Sequence, residues 1–242
     1  MSPRKSSSRR RVALVTGSSR GIGLAVAKAL AEAGCDLVIC GRDEKALQKA
    51  TREVSRAGGR VLTLPCDVTD PVSVETCFAA TKRVFPRLDI LVNNAGIAHA
   101  VVNVEKFDIE LWQRVVATNL NGTFLATRAA LPLMRRGAVI VNMLSIAARR
   151  VFAGQAAYCA SKYGALGFSE ALREELRPRG IRVIAMLPGA TSTDIWKKLW
   201  PEAPRNKMLS VDTVAKVVVD AVMMPENISV DEVVIQGAAG AL

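Results

Sequence analysis

Seven short apolar runs, separated by stretches of helical length, constrain the fold of this chain more than any other feature. The runs are almost continuously apolar, which is typical of strands buried on both faces of a parallel sheet. The stretches between them fit helices that cover those faces. The pattern therefore predicts a doubly wound, parallel, seven-stranded α/β sheet of the Rossmann type. Strands are expected at 11–16, 36–40, 60–64, 90–93, 138–142, 182–187 and 233–235, and helices at 22–33, 44–57, 71–85 and 155–177. Residues 104–136 are expected to hold one long helix, with a short helix before it as an alternative.

Length and composition favour one domain in a reducing compartment. The chain has 242 residues, half of them apolar, and no stretch resembles a linker. Its longest uncharged apolar runs are too short to span a bilayer, and the N-terminus lacks the apolar segment of a secretory signal. We therefore expect a cytoplasmic protein with no membrane partner. The domain is expected at 12–242.

The formal charge of +11 raises a nucleic-acid hypothesis, but much of that charge lies at one end. Residues 1–11 hold five cations, and without them the charge is +6. This segment is rich in serine and poor in apolar residues, so we predict a disordered, solvated tail. It has no aromatic residues on which bases could stack, so we expect no nucleic-acid partner.

The five cysteines are interpreted as buried free thiols, because their number is odd and no Cys-x-x-Cys occurs. Small apolar side chains of this kind pack well in and beside strands. With only one histidine in the chain, we predict no metal site.

A glycine-rich turn joins the first predicted strand to the first predicted helix. Gly17, Gly21 and Gly23 let the backbone approach a pyrophosphate, and the helix N-terminus adds free N–H groups and a positive dipole end. The spacing Gly-x-x-x-Gly-x-Gly differs from the older dinucleotide fingerprint. Glycines also form turns that bind no ligand. The interpretation as a pyrophosphate site therefore depends on the position of these three glycines between a strand and a helix.

Three motifs in a fixed order identify a family. The glycine turn, the Asn-Asn-Ala-Gly at 93–96 and the Tyr158-x-x-x-Lys162 pair resemble the short-chain dehydrogenase/reductase family. The resemblance runs from about residue 12 to the C-terminus. It implies hydride transfer between a nicotinamide cofactor and a small carbonyl or alcohol. General similarity points to 3-oxoacyl-carrier-protein reductases and related NADP-dependent carbonyl reductases, although the last strand lacks the Gly-Gly segment usual in the former.

Two arginines favour NADP(H) over NAD(H). The second predicted strand ends at Gly41-Arg42, where an NAD site would place a carboxylate for the ribose 2′-hydroxyl. Arg20, in the glycine turn, supplies a second guanidinium, and this planar fork suits a 2′-phosphate. The alternative is that both arginines are solvated surface residues.

The resemblance implies further cofactor contacts along the carboxyl edge of the sheet. At Asp67 the resemblance implies a contact with the adenine amino group, although a turn residue or helix cap is the alternative. Asn93 is better interpreted as structural than as a cofactor contact. Thr191 departs from the aliphatic residue common at its position, so only its backbone contact is carried over. The remaining expected contacts are Ser19, Ile22, Val68, Asn94, Ala95, Gly96, Tyr158, Lys162, Pro188, Gly189 and Thr193.

The reacting end requires a proton donor for the developing alkoxide. Tyr158 and Lys162 lie one helical turn apart, and a nearby ammonium can lower the pKa of a phenol. A chance pair on a helix surface is the alternative. The resemblance implies that Ser145 bonds the carbonyl oxygen, that Asn119 holds a relay water, and that Lys162 also bonds the nicotinamide ribose.

The substrate side and the assembly are less constrained. We interpret His99 as a loop residue and the pair Arg149 and Arg150 as solvent-facing. Contact with the substrate is the alternative for all three. Residues 195–200 resemble the mobile lid of the family. The resemblance also implies a homodimer or homotetramer that pairs helices at 112–133 and 165–176. The function expected is reduction of a ketone or aldehyde, with a catalytically silent NADP-binding regulator as the alternative of another class.

Overall fold

Seven parallel strands form one sheet in the order β3-β2-β1-β4-β5-β6-β7, which confirms the predicted Rossmann-type α/β fold. The computed structural model describes residues 9–196, 200–238 and 240. The strands are β1 Val12–Thr16, β2 Asp36–Gly41, β3 Val61–Pro65, β4 Ile90–Asn93, β5 Val139–Met143, β6 Arg182–Pro188 and β7 Glu232–Ile235.

The strand order reverses at β1, which pairs with β2 on one side and β4 on the other. Val15 lies opposite Ile39 in β2 and Val92 in β4. Helices that leave these strands on opposite faces open a crevice beyond the carboxyl ends, where such sheets bind ligands. The predicted site motifs follow these strand ends.

Helices cover both faces of the sheet. The six that follow β1 to β5 are α1 Gly21–Glu32, α2 Glu44–Ala57, α3 Pro71–Val84, α4 Ile109–Val116, α5 Gly122–Ala130 and α6 Ala156–Leu176. One apolar core joins the sheet to α1 and α2, and a second joins it to α3, α5 and α6. No helix in the described part of the chain is long and apolar enough to cross a bilayer.

The long helix predicted at 104–136 is interrupted. A 3-10 turn at Val104–Lys106 precedes α4, and a π-helical segment, Ala117–Asn121, joins α4 to α5. The extra residue in a π turn shifts the helical register, and such segments are frequent at functional sites. Asn119 lies within it, so the interruption sets the direction of a predicted site residue.

A seventh helix, α7 at Val211–Val222, has no counterpart among the predicted elements. Ser210 caps its N-terminus, because the Ser210 Oγ accepts a hydrogen bond from the Thr213 N–H at 3.0 Å. The run of valines lowers its helix propensity, which hides the element in the sequence. Packing of Val214 and Val218 in the α1-side core overrides that propensity.

The last three residues of the predicted basic tail contact the domain. Arg9 pairs with Asp89 at 3.5 Å, and Arg10 pairs with Asp36 at 3.2 Å. The Arg11 guanidinium donates to the Val222 carbonyl oxygen at 3.4 Å. The boundary placed after residue 11 stays a prediction, and residues 1–8 lie outside the described part of the chain.

Candidate active site

The glycine turn closes tightly against the strand-4 loop. Gly17 and Gly21 have φ values of 63° and 57°, a region that favours glycine. A Cβ at Gly17 would lie 2.9 Å from Ala95 Cα, and one at Gly23 would overlap the Asn94 amide and the Gly17 carbonyl oxygen. Packing therefore requires glycine at 17 and 23, and the positive φ favours glycine at 21, in a turn that also suits a pyrophosphate.

The Asn-Asn-Ala-Gly segment braces this turn. The Asn94 amide donates to the carbonyl oxygens of Thr16 and Gly17 at 2.9 and 3.1 Å. The Thr16 hydroxyl oxygen accepts from the N–H groups of Asn94 and Ala95, each at 3.0 Å. Sequence analysis missed Thr16, whose position at the end of β1 was the available signal.

Asn93 has the structural role expected for it. Its amide nitrogen donates to Thr127 Oγ1 at 2.9 Å and to Asn142 Oδ1 at 2.8 Å, and Asn142 in turn donates to Ser169 Oγ at 2.8 Å. These buried bonds tie β4 and β5 to α5 and α6. They hold the strands from which the site residues project.

Arg20 and Arg42 lie at the open end of the crevice. Both are exposed, and Arg20 is the residue that precedes α1. Ser19 Oγ lies 3.8 Å from where a Cβ of Gly41 would stand, and Arg20 and Arg42 directly follow these two neighbouring residues in the chain. Their side chains are accessible to a ligand phosphate.

Asp67 forms a turn, which is one of the roles considered for it. Its Oδ1 accepts from the Thr69 N–H at 2.9 Å and the Thr69 hydroxyl at 2.7 Å, while Oδ2 lies 3.8 Å from Arg42 Nη1. Partial burial raises the pKa of Asp67, but the Thr69 hydrogen bonds and the Arg42 charge outweigh it and lower that pKa. The cap of α3 is Asp70, which accepts from the Val72 N–H.

Tyr158 and Lys162 share one face of α6, as their spacing predicts. Lys162 is 5% exposed, and its Nζ donates to the Met143 carbonyl oxygen at 2.9 Å. The same Nζ lies 5.7 Å from the centroid of the Tyr158 ring. The carboxyl end of β5 thus holds the ammonium beside the phenol.

The pKa values of the pair shift through burial. Burial lowers the pKa of Lys162 to about 8. Burial raises the pKa of Tyr158, against the lowering by its hydrogen bond with Ser145. The sequence predicts that Lys162 lowers the pKa of Tyr158. In the protein by itself the net shift of that pKa is upward, because burial outweighs the other effects. At neutral pH the phenol carries its proton, as a proton donor must.

Ser145 stands directly before a 3-10 turn, Ile146–Ala148, that follows β5. Its Oγ accepts from the Ala147 N–H at 3.2 Å. The Ser145 hydroxyl is close enough to that of Tyr158 to lower the pKa of the phenol, so the two hydroxyl groups are neighbours. A carbonyl oxygen placed between them could accept a hydrogen bond from both.

Asn119 is buried, and its side-chain amide is held by protein groups. Oδ1 accepts from the Ile97 N–H at 2.8 Å, and Nδ2 donates to the Ile97 carbonyl oxygen and to Ser161 Oγ at 2.9 and 3.0 Å. A Cβ at Gly96 would stand 3.3 Å from Asn119 Oδ1 and 3.8 Å from Lys162 Nζ. The structure therefore brings Asn119, Gly96 and Lys162 together.

The β6 loop closes the crevice from the other side. Pro188 ends β6, and the Gly189 N–H donates to the Ile235 carbonyl oxygen at 2.7 Å. Thr191 is turned inward, with its Oγ1 donating to the Gly189 carbonyl oxygen at 3.0 Å. Thr193 faces the glycine turn, with its Cγ2 3.6 Å from where a Cβ of Gly21 would stand. Two apolar positions complete the predicted set: Ile22 in α1 and Val68, which packs against Gly122.

Comparison with known proteins assigns the family. The model of the short chain dehydrogenase family matches residues 11–204. The chain belongs to this family. It is 38% identical over 191 residues to the 3-oxoacyl-[acyl-carrier-protein] reductase of Synechocystis sp., covering 78% of this chain and 77% of that protein.

Solved structures of the short-chain dehydrogenase family superpose over nearly the whole chain. An alcohol dehydrogenase from the archaeon Thermococcus sibiricus, complexed with 5-hydroxy-NADP, has a TM-score of 0.89 and 27% identity, covering 96% of this chain and 98% of that one. A short chain dehydrogenase from Burkholderia cenocepacia J2315, in complex with NADP, has a TM-score of 0.87 and 33% identity, covering 95% and 97%.

His99 is part of this short-chain dehydrogenase site through the backbone of Tyr158. The residue is 3% exposed, its Nδ1–H donates to the Ala100 carbonyl oxygen at 2.7 Å, and its Nε2 accepts from the Tyr158 N–H at 3.3 Å. Gln155, which precedes α6, provides no side-chain cap and instead donates to the His99 carbonyl oxygen at 3.0 Å. The imidazole therefore caps the N-terminus of α6 from another loop.

Replacing His99 is expected to misplace Tyr158. In His99→Ala the Tyr158 N–H loses its acceptor, a cost of about 1–3 kcal/mol that corresponds to roughly 5–150-fold in turnover if it falls on the reacting geometry. His99→Gln, whose Oε1 can accept the same bond, should recover part of that loss. Steady-state turnover and cofactor affinity of both variants check this. Equal turnover of the alanine variant and wild type would contradict it.

The remaining substrate-side residues have protein partners or lie at the surface. Arg149 pairs with Glu232 at 2.8 Å and Glu170 at 3.2 Å, which favours a structural role, and Arg150 is exposed. In the predicted lid, Trp196 Nε1 donates to the Thr191 carbonyl oxygen at 2.8 Å. Residues 197–199 of that lid lie outside the described residues.

Proposed function

We propose that this short-chain dehydrogenase reduces a ketone or aldehyde to an alcohol with NADPH. The observation that carries the proposal is the proximity of the Tyr158 and Ser145 hydroxyls, with the Lys162 ammonium 5.7 Å from the centroid of the Tyr158 ring. A site for cofactor binding alone has no need of a phenol that lies next to a serine hydroxyl and a buried ammonium.

Each residue has a separate task in this reaction. When bound, the reduced nicotinamide supplies the hydride that reaches the carbonyl carbon. Ser145 and Tyr158 donate hydrogen bonds to the carbonyl oxygen, which stabilises the charge that develops there. Tyr158 then gives its proton to that oxygen. Lys162 stabilises the resulting phenolate and contacts the nicotinamide ribose, and Asn119 supports a water-mediated proton path to Lys162.

A screen of carbonyl compounds tests this function. Aldehydes, simple ketones, diketones and a 3-oxoacyl thioester would be offered with NADPH, and the loss of NADPH absorbance would be followed. The thioester is included because the Synechocystis relative is a 3-oxoacyl-[acyl-carrier-protein] reductase. Turnover on the thioester above all others would identify that activity. NADPH binding without turnover on any compound would instead favour a catalytically silent regulator.

The proposed cofactor form rests on Arg20 and Arg42. Both guanidinium groups are exposed at the end of β2 and the start of α1, and the similar Thermococcus and Burkholderia structures are described with NADP compounds. A 2′-phosphate there would compete with Asp67 for Arg42, whose 3.8 Å ion pair is long and exposed. Charge-assisted hydrogen bonds from a phosphate are stronger than such a surface pair.

Replacing Arg42 is expected to change the cofactor preference. Arg42→Asp should weaken NADPH binding by roughly 10–100-fold, because it removes a charge-assisted contact and adds repulsion. NADH affinity should be unchanged or improved. Arg52→Asp, on the exposed surface of α2, makes the same charge change as a control. Fluorescence titration gives the dissociation constants of NADPH and NADH for wild type and both variants. Equal wild-type affinity for NADPH and NADH would rule out the proposed contact.

We also propose that the protein forms a homodimer or homotetramer through α4, α5 and α6. Phe124 in α5 and Tyr163 in α6 are 46% and 42% exposed, and Phe124 packs edge-on against Phe168 at 6.1 Å. Trp112 and Ile109 in α4 are exposed as well. Exposed apolar residues mark an interaction site where they form a contiguous patch.

Light scattering at micromolar concentration tests the assembly. Wild type is expected at two or four times its chain mass of 25.9 kDa, and Phe124→Glu is expected to shift the distribution toward the monomer. Val72→Glu, which changes another exposed apolar residue on α3, serves as the control. A wild-type monomer would contradict the proposal.

The buried thiols support a cytoplasmic location. All five cysteines are free, including Cys35 and Cys159, which lie apart from the others. A reducing compartment keeps such thiols unpaired.

A further inference from the structure

Three buried cysteines meet beneath the adenosine end of the proposed cofactor pocket. Cys40 lies in β2, Cys66 directly follows β3, and Cys77 lies in α3. Their sulfur atoms are all within 4.8 Å of one another, and the residues are 1%, 4% and 2% exposed. The sequence alone predicts no metal site, because these cysteines are far apart in the chain. The sheet register and the crossover helix bring them together in this thiol cluster, and the proposal below replaces that prediction.

We propose that the thiol cluster binds one soft, thiophilic cation of the Cu(I) class in three-coordinate sulfur geometry. Metal–sulfur bonds of about 2.3 Å place three sulfurs of a trigonal site about 4 Å apart, which lies within the observed limit. Cys40 and Cys66 are held by adjoining strands and Cys77 by a packed helix. The cation can therefore be bound without moving the backbone far.

The surroundings select for a soft cation. Among the described residues, no histidine or carboxylate joins the three sulfurs in a possible ligand group. The cysteines belong to an apolar core that also contains Val38, Val74 and Phe78. Hard cations require oxygen ligands or retained waters, and zinc prefers a fourth ligand, whereas thiolates select Cu(I).

Metal binding at this position should oppose cofactor binding. Cys40 is two residues before Arg42, Cys66 immediately precedes Asp67, and the Cys66 N–H donates to the Gly41 carbonyl oxygen at 2.9 Å. Binding of Cu(I) by two or three thiolates releases their protons and leaves a net negative site. That charge repels a 2′-phosphate and so lowers the affinity for NADPH. By reciprocity, bound NADPH lowers the affinity for Cu(I) by the same factor. This coupling rests on the proposed function, whereas the metal site does not.

An anaerobic titration tests the site. The full chain would be titrated with Cu(I) supplied by a chromophoric chelator, and X-ray absorption at the copper edge would count the bound sulfurs. One Cu(I) per chain with three sulfur neighbours is expected. Cys66→Ala and Cys77→Ala should each lower the affinity by at least about tenfold. Cys35→Ala and Cys159→Ala, which replace buried cysteines outside the cluster, should leave it unchanged.

Two results would overturn the site. One is the failure of wild type to withdraw one Cu(I) from the chelator, and the other is a copper with fewer than three sulfur neighbours; both are measured without any variant. For the coupling, one bound Cu(I) should raise the NADPH dissociation constant at least about threefold. An unchanged constant would reject the coupling alone. Failure of metal-free protein to bind NADPH would reject the proposed function and leave the copper result standing.

Discussion

Tyr158→Phe is expected to lose at least roughly two orders of magnitude in turnover while still binding NADPH, because general acid catalysis contributes about 10²–10⁴-fold. The substitution keeps the ring beside Lys162 and removes only the hydroxyl, which is a neighbour of the Ser145 hydroxyl. Turnover and NADPH affinity would be measured on a carbonyl compound that wild type reduces.

The chain provides a matched control for this substitution. Tyr163 is the second of its two tyrosines, lies on the same helix and is 42% exposed. Tyr163→Phe should keep near-wild-type turnover. If Tyr158→Phe also keeps it, another group supplies the proton and Tyr158 is not the acid.

The fold could be predicted largely from periodicity and strand-end motifs. Continuous apolar runs specify buried parallel strands, and the predicted β4 and α2 match the observed Ile90–Asn93 and Glu44–Ala57. The valine-rich α7 could not be predicted in this way, because its helical state comes from packing against α1 and the sheet. The π segment around Asn119 likewise leaves no mark in local propensity, since its hydrogen-bond register depends on neighbouring helices.

The proximity of the proposed catalytic residues could be predicted from short offsets in the sequence. Ser145 follows β5 and Lys162 is one turn from Tyr158, so the topology brings them together. His99 and the thiol cluster differ in this respect. Their contacts join residues separated by long stretches of chain, and a lone histidine or cysteine in the sequence is compatible with simple burial. Only the assembled structure shows what these side chains touch.

Lys162→Met is expected to stabilise the folded protein while abolishing most turnover. Burial lowers the pKa of Lys162 from 10.5 to about 8, so the charged form is disfavoured in the folded state. A shift of that size corresponds to about 3 kcal/mol at neutral pH, since each pKa unit is about 1.4 kcal/mol. Loss of the hydrogen bond to the Met143 carbonyl oxygen lowers the stability of the variant by about 1–2 kcal/mol, which offsets part of this gain. The net gain in the free energy of unfolding is therefore about 1–2 kcal/mol at pH 7.

The pH dependence separates this charge effect from simple repacking. The folded pKa lies below the unfolded one, so between pH 8 and 10.5 the unfolded state binds more protons and wild-type stability rises with pH. The penalty is fully present below about pH 8 and is gone above the unfolded pKa. Lys162→Met lacks this rise, so its advantage should shrink as the pH increases.

Urea unfolding at pH 7 and pH 9.5 measures both effects. Lys45→Met, on the exposed surface of α2, should keep the wild-type stability at both pH values. A Lys162→Met protein less stable than wild type at pH 7, or one with the same rise in stability, would show that the buried ammonium is not a net cost. A stabilised but inactive protein would show instead that the fold sustains an unfavourable buried charge because the chemistry beside Tyr158 requires it.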